Sequence, residues 1–167
     1  MTLPQLNALD KTELEEELTK CCGSRNWVHA MSQGFPFESE REMLGTAEEI
    51  WLRCGESDWL QAFRHHPKIG DLESLKAKYA ATAGWAAGEQ AGVNQTSDET
   101  LRRLATGNDA YEEKFGFIFI VCAAGKSAEE MLQLLEARIG NTREQELRNA
   151  AAEQNKITKL RLQKLLA

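Results

Sequence analysis

The sequence predicts an all-α protein, a single compact domain over residues 1–167 built from about eight to ten helices. Three observations carry that expectation. Helix-start signals recur at short intervals, and the apolar residues after them repeat at helical spacing. One run of chain alone has the apolar, β-branched character of a strand, which leaves it no partner to pair with.

Taken in order, Asp10 is followed by Glu13, Ser39 by Glu42, Ser127 by Glu130 and Thr142 by Gln145. Each is the spacing of a capping box or a close variant, in which side chains satisfy first-turn amides. Leu14, Leu18, Cys21 and Cys22 form one stripe, and Met43, Ala47, Ile50, Trp51 and Cys54 another. Gly23 and Gly55 stand where C-terminal glycines end helices. A helix through Trp59, Leu60 and Phe63 must stop near His66, because Pro67 pushes its predecessor out of helical geometry. Asp71 can cap a helix through Leu72, Leu75 and Tyr79, and Ser97-Asp98-Glu99 opens one carrying Leu101, Leu104 and Tyr111. From Thr142 a long amphipathic helix holds Leu147, Ala150, Ala151, Ile157, Leu160 and Leu165, with Asn155 as a candidate break. Gly34-Phe35-Pro36-Phe37 and Ala91-Gly92-Val93-Asn94-Gln95 read as loops.

The dissenting run is Phe115-Gly116-Phe117-Ile118-Phe119-Ile120-Val121-Cys122, a strand by local propensity. Buried amides and carbonyls without partners cost about 1–3 kcal/mol each. The run is therefore either a buried helix or an extended stretch whose backbone groups are satisfied by something other than a sheet.

Composition removes several classes of function. With 42% hydrophobic and 28% charged residues the chain is an ordinary globular one. Its net charge of −6 argues against nucleic acid or an anionic membrane as partner, so an anionic substrate would need a local cation. The four cysteines, Cys21, Cys22, Cys54 and Cys122, form no CxxC pair and histidines are few, so no metal site is expected. They suit a reducing compartment. With no secretory signal after Met1 and no apolar run near the roughly 20 residues of a membrane span, the expected location is the cytoplasm.

Two segments carry chemistry. In Phe63-Arg64-His65-His66-Pro67-Lys68-Ile69-Gly70-Asp71, His66 falls at a helix C-terminus, where the macrodipole favours the protonated imidazole. A titrating group at a fixed helix end suits acid/base work near neutral pH; the plainer reading is that Pro67 only ends a helix. Downstream, Trp85-Ala86-Ala87-Gly88-Glu89-Gln90-Ala91-Gly92 sets a carboxylate and an amide among small residues that let another group approach closely. Glu89 could orient or deprotonate an imidazole, or the segment may be read simply as the polar face of an alanine-rich helix.

His66-Pro67-x-Ile69-Gly70-Asp71, Glu89-Gln90-Ala91-Gly92, Lys114-Phe115-Gly116-Phe117-x-Phe119 and Lys156-Ile157-x-x-Leu160-Arg161-Leu162-x-x-Leu165-Leu166 occur together and in this order. The combination resembles the 2-oxo-4-hydroxy-4-carboxy-5-ureidoimidazoline (OHCU) decarboxylase family over most of the chain. The resemblance implies an all-helical, often dimeric enzyme of urate degradation. It would act on a small-molecule substrate, without metal or organic cofactor, to form (S)-allantoin. It implies that His66 exchanges protons with the substrate, that Glu89 orients it or shares the proton, and that Arg161 binds substrate oxygens. It further implies that Pro67 and Gln90 line the substrate pocket, and that the backbone of Phe117, Ile118, Phe119, Ile120 and Val121 holds the ligand. Arg138, in Leu135-x-x-Arg138, is the reserve candidate for the substrate cation. The departure is Ala86, where the family usually has a serine that contacts substrate. Two other functions compete: a non-catalytic module docking through the long C-terminal helix, and hydrolysis or isomerisation of a related ureido compound.

Overall fold

A computed structural model describes residues 1–68, 73, 75–77 and 98–167. Eight helices are bounded among the described residues, and none of these residues is in a strand. They are α1 (Leu3–Asn7), α2 (Lys11–Cys21), α3 (Arg25–Gly34), α4 (Glu40–Arg53), α5 (Glu56–Arg64), α6 (Asp98–Phe115), α7 (Ala128–Arg138) and α8 (Arg143–Leu165). Glu73 and residues 75–77 are also helical, with Leu75 buried. Asp71, Leu72, Tyr79 and the loop at 91–95 lie outside the described residues.

The expected caps form. Asp10 Oδ1 accepts from Glu13 N at 2.9 Å while Glu13 Oε2 accepts from Asp10 N at 3.4 Å. Thr142 and Gln145 make the same reciprocal pair, at 3.2 and 3.0 Å. Ser39 and Ser127 each accept one amide at 3.2 Å. A cap of this kind contributes about 1 kcal/mol. Asn155 breaks nothing, since α8 runs unbroken past it to Leu165; an asparagine inside a helix costs well under 1 kcal/mol, too little to overrule the packing on either side.

The chain forms two compact units, Met1–His66 with Leu147–Ala167, and Pro67–Glu146. In the first, the core holds Leu6, Leu14, Leu18, Trp27, Met31, Met43, Trp51 and Phe63, joined by Ala150, Ala151 and Leu162 of α8. The two most buried indoles also place their polar atom: Trp27 Nε1 donates to Ala47 O at 3.1 Å and Trp51 Nε1 to Ala151 O at 2.8 Å. Asn7 pins the loop after α3, donating to Phe37 O at 2.8 Å and accepting from Phe37 N at 3.1 Å. Gly23 is not a left-handed cap. A Cβ there would lie 2.2 Å from His65 Cγ, so the glycine is needed for the close approach of the turn that carries His65 and His66.

In the second unit, α6 packs against α7, and Leu101, Leu104, Tyr111, Phe115, Met131 and Leu135 are buried. The Phe115–Cys122 run leaves α6 at Gly116 (φ 80°) and is neither helix nor strand until a turn with Gly125 (φ 72°). Both glycines occupy the left-handed region that a Cβ disfavours. Of the two readings open from sequence, the buried helix is excluded for residues 116–122. Its carbonyls are met by basic side chains in place of a neighbouring strand: Arg143 Nε donates to Phe115 O at 3.2 Å, Arg138 Nη1 to Ile120 O at 2.8 Å and Lys126 Nζ to Cys122 O at 2.7 Å. Phe117, Phe119, Ile120 and Val121 are buried, with the Phe117 and Phe119 rings 5.9 and 5.2 Å from that of Tyr111.

Candidate active site

The site is built first from the end of α5. The helix closes with His65 N and His66 N donating to Ala62 O and Phe63 O, each at 3.1 Å. His65 packs over Gly23, and His66 is half-buried. Its Nε2 is hydrogen-bonded to Gln154 Oε1, and its Nδ1 lies 3.5 Å from Arg161 Nη2. Gln154 Nε2 donates to Thr158 Oγ1 at 3.0 Å.

Three of these residues come from one strip of α8. Positions 154, 158 and 161 are four and three residues apart and so share a helix face. The strip that is apolar at Leu147, Ala150, Ala151 and Leu162 thus turns polar where it meets the end of α5. Sequence reasoning missed Gln154 and Thr158. The available signal was their position in register with a core stripe, where a polar residue needs a reason.

The electrostatics depart from the sequence expectation in one respect. The macrodipole of α5 is expected to favour the imidazolium, but burial pushes the His66 pKa down. The positive charges of Arg161 and His65 push the same way, against the Gln154 hydrogen bond. A helix end is worth about 0.3–1 kcal/mol, which desolvation of a charge readily exceeds. Burial thus disfavours the imidazolium that the helix end would favour. Burial likewise raises the Cys21 and Cys22 thiols to about 12, so neither is a thiolate nucleophile.

The two candidate arginines separate cleanly. Arg161 is partly exposed, and among the described residues it also donates to the Lys20 carbonyl at 3.4 Å. Arg138 is enclosed in the second unit. Its Nε pairs with Glu146 Oε1 at 2.7 Å, and its guanidinium sits 4.6 Å from the centre of the Phe119 ring. Glu146 is fully buried and also accepts from Tyr111 Oη at 2.6 Å and Asn141 Nδ2 at 2.9 Å. Arg138 is committed to its own unit, and what it does is hold Ile120 in the segment after α6.

Of the remaining predicted residues, Pro67 is exposed, and Lys68 beside it pairs with Asp109 and Glu112 at 2.8 Å each. Ala86, Glu89 and Gln90 lie outside the described residues. Among the described residues no group of three His, Cys, Asp or Glu side chains is gathered as metal ligands, and no helix is long and apolar enough to cross a membrane.

A model of the OHCU decarboxylase family matches residues 7–163. The chain is 40% identical over 154 residues to the uric acid degradation bifunctional protein TTL of Arabidopsis thaliana, covering 92% of this chain and 47% of that protein. It is 26% identical over 172 residues to the uric acid degradation bifunctional protein of Bacillus sp. (strain TB-90), covering 99% and 32%. The chain thus spans about half the length of the first relative and a third of the second. It is 37% identical over 169 residues to the 2-oxo-4-hydroxy-4-carboxy-5-ureidoimidazoline decarboxylase of Amia calva, covering 99% and 95%. A crystal structure of OHCU decarboxylase in the presence of (S)-allantoin matches with a TM-score of 0.74 at 40% identity, covering 90% of this chain and 97% of that one. By this match along nearly its whole length, the chain belongs to the OHCU decarboxylase family.

Proposed function

We propose that this protein is a carboxy-lyase of urate degradation that converts OHCU to (S)-allantoin without a metal or organic cofactor. The observation that carries the reading is the pairing of half-buried His66, whose pKa burial pushes down, with the partly exposed guanidinium of Arg161. The proposed substrate bears its carboxylate on a ring carbon that also carries a hydroxyl, next to a ring C=N. When CO2 leaves, the electron pair of the broken C–C bond delocalises into that C=N, whose nitrogen takes up a proton, so the substrate is its own electron sink. The resulting enol becomes the ring carbonyl when its hydroxyl proton is removed and a proton is added to the neighbouring carbon.

A neutral imidazole has the lone pair that this proton transfer needs, and general acid/base help of this kind is worth about 10²–10⁴-fold. Arg161 suits the anionic oxygens through its planar fork of donors. Glu89, Gln90, Pro67 and the Phe117–Val121 backbone enter the proposal from family resemblance, Glu89 as the group that orients the reacting centre or shares its proton. The homodimer and the cytoplasmic location belong to the same reading, and sedimentation of the purified chain checks the first.

The test is circular dichroism of the allantoin formed from enzymatically generated substrate. The substrate decays spontaneously to racemic allantoin, so optical activity reports the enzyme. A growing single-enantiomer signal, lost in folded His66→Ala and Glu89→Ala, is the expected result. Racemic product from the folded wild-type chain overturns the proposal.

A further inference from the structure

Gln154 and Thr158 are 0% and 3% exposed on the face of α8 that also buries Leu147, Ala150, Ala151 and Leu162. A buried amide is costly unless its oxygen and its nitrogen both find partners. Here the partners form a directed chain: Arg161, the His66 ring, the Gln154 amide and the Thr158 hydroxyl. The direction is set at its charged end. A guanidinium has donors and no acceptor, so the imidazole nitrogen turned toward Arg161, Nδ1, must present its lone pair. A neutral ring then carries its single proton on Nε2. That proton can be received only if Gln154 turns its oxygen to His66, which sends the amide NH2 to Thr158.

We propose that Gln154, braced by Thr158, is a positioning residue that holds His66 in the Nε2–H tautomer and so reserves Nδ1 as the basic atom of the site. In free histidine the two tautomers compete. Here the buried amide on one side and the cation on the other both select the same one. The nitrogen left basic is the one beside Arg161, so an anionic substrate drawn to the guanidinium would meet a lone pair and not an N–H. What Nδ1 does to the substrate rests on the decarboxylase reading; which nitrogen carries the proton does not.

The experiment is nitrogen-15 NMR of the histidine rings in the intact chain, above neutral pH, with His66 assigned by its loss in His66→Gln. The expected wild-type spectrum has a protonated, pyrrole-type Nε2 and an unprotonated, pyridine-type Nδ1. In Gln154→Met both resonances should move toward intermediate values as the tautomers mix, and Thr158→Val should move them less in the same direction. In the decarboxylation assay Gln154→Met should lower kcat about tenfold or more with KM little changed, because the amide does not touch substrate. A wild-type His66 protonated on Nδ1, or a ring whose shifts ignore both substitutions, overturns the proposal. If Gln154→Met does not fold, the wild-type spectrum and Thr158→Val decide. Racemic allantoin from a chain with the expected tautomer would sink the decarboxylase reading and leave the tautomer assignment standing; active enzyme with the opposite tautomer would do the reverse.

Discussion

Arg138 and Arg161 look alike in the sequence, each beside an apolar stripe near the end of a helix, and the fold gives them opposite surroundings. Arg138 has 11% side-chain exposure and faces a fully buried carboxylate, with a backbone carbonyl and an aromatic ring completing its shell. Arg161, among the described residues, faces a carbonyl dipole and the His66 ring at 3.4 and 3.5 Å, and stays partly open. Where the protein supplies the counter-charge the cation is structural. Where the described residues supply only dipoles, as at Arg161, the charge is the better candidate to meet an anion from outside.

The sharpest way to break this contrast is to remove each guanidinium. Arg138→Met removes a cation from the buried Glu146 carboxylate, and losing one partner of a buried pair costs about 3–5 kcal/mol, read as a fall in the urea midpoint. Arg161→Met should cost under about 1 kcal/mol of stability, since no buried charge is left behind. Formation of optically active allantoin should instead fall about 10²–10³-fold, the usual effect of deleting one donor to a developing or bound anion. An Arg138 variant as stable as wild type, or an Arg161 variant with full activity, would erase the distinction.

Smaller changes refine it. Tyr111→Phe removes the phenol that donates to Glu146 at 2.6 Å. A hydrogen bond to a charged group is worth about 1.5–3 kcal/mol, so the melting temperature should drop while activity per folded molecule holds. On the other side of the comparison, Gly23→Ala drives a Cβ to 2.2 Å from His65 Cγ. The expected cost is about 1–3 kcal/mol for overpacking, and because the displaced turn carries His66, activity should fall with stability. An alanine variant that keeps both would show that His65 moves aside freely.

The smallest effect expected is a pH dependence. His66 has a folded pKa below its unfolded value of about 6.5. The unfolded chain therefore takes up the proton first as pH falls. The contribution is present above about pH 6.5 and is lost as pH falls through the folded value. Urea midpoints of wild type and His66→Asn should converge on acidification. In Arg161→Met the acid loss should be smaller, because one of the positive charges pushing the pKa down is gone while burial remains.

Much of the fold was legible because its signals are local. Asp10 with Glu13, and Thr142 with Gln145, specify helix starts from within four residues, since the orphan amides they satisfy lie in the same turn. Pro67 ended α5 where expected for the same reason. The errors share a cause as well. Gly23 suggests a cap when judged by its own backbone, yet the constraint on it is His65, 42 positions away in the chain. Asn155 suggests a break by propensity, yet packing of α8 overrides it. The ambiguity at Phe115–Cys122 was a question about partners, and the partners are side chains from Arg138 and Arg143 that no local window contains.

For the site, the sequence by itself determined the kinds of group on offer: an imidazole beside a proline, a carboxamide and carboxylate among small residues, and two arginines on helical stripes. Those follow from residue type and spacing, and the helical fold follows from periodicity and capping. Only the tertiary structure decided which of them act together. Gln154 reaches His66 across 88 positions and Arg161 across 95, and burial at that meeting point disfavours the protonated imidazole that the helix end was expected to favour. The physical reason is that charge and proton position depend on solvation and on through-space partners, and neither is a property of the chain until it has folded.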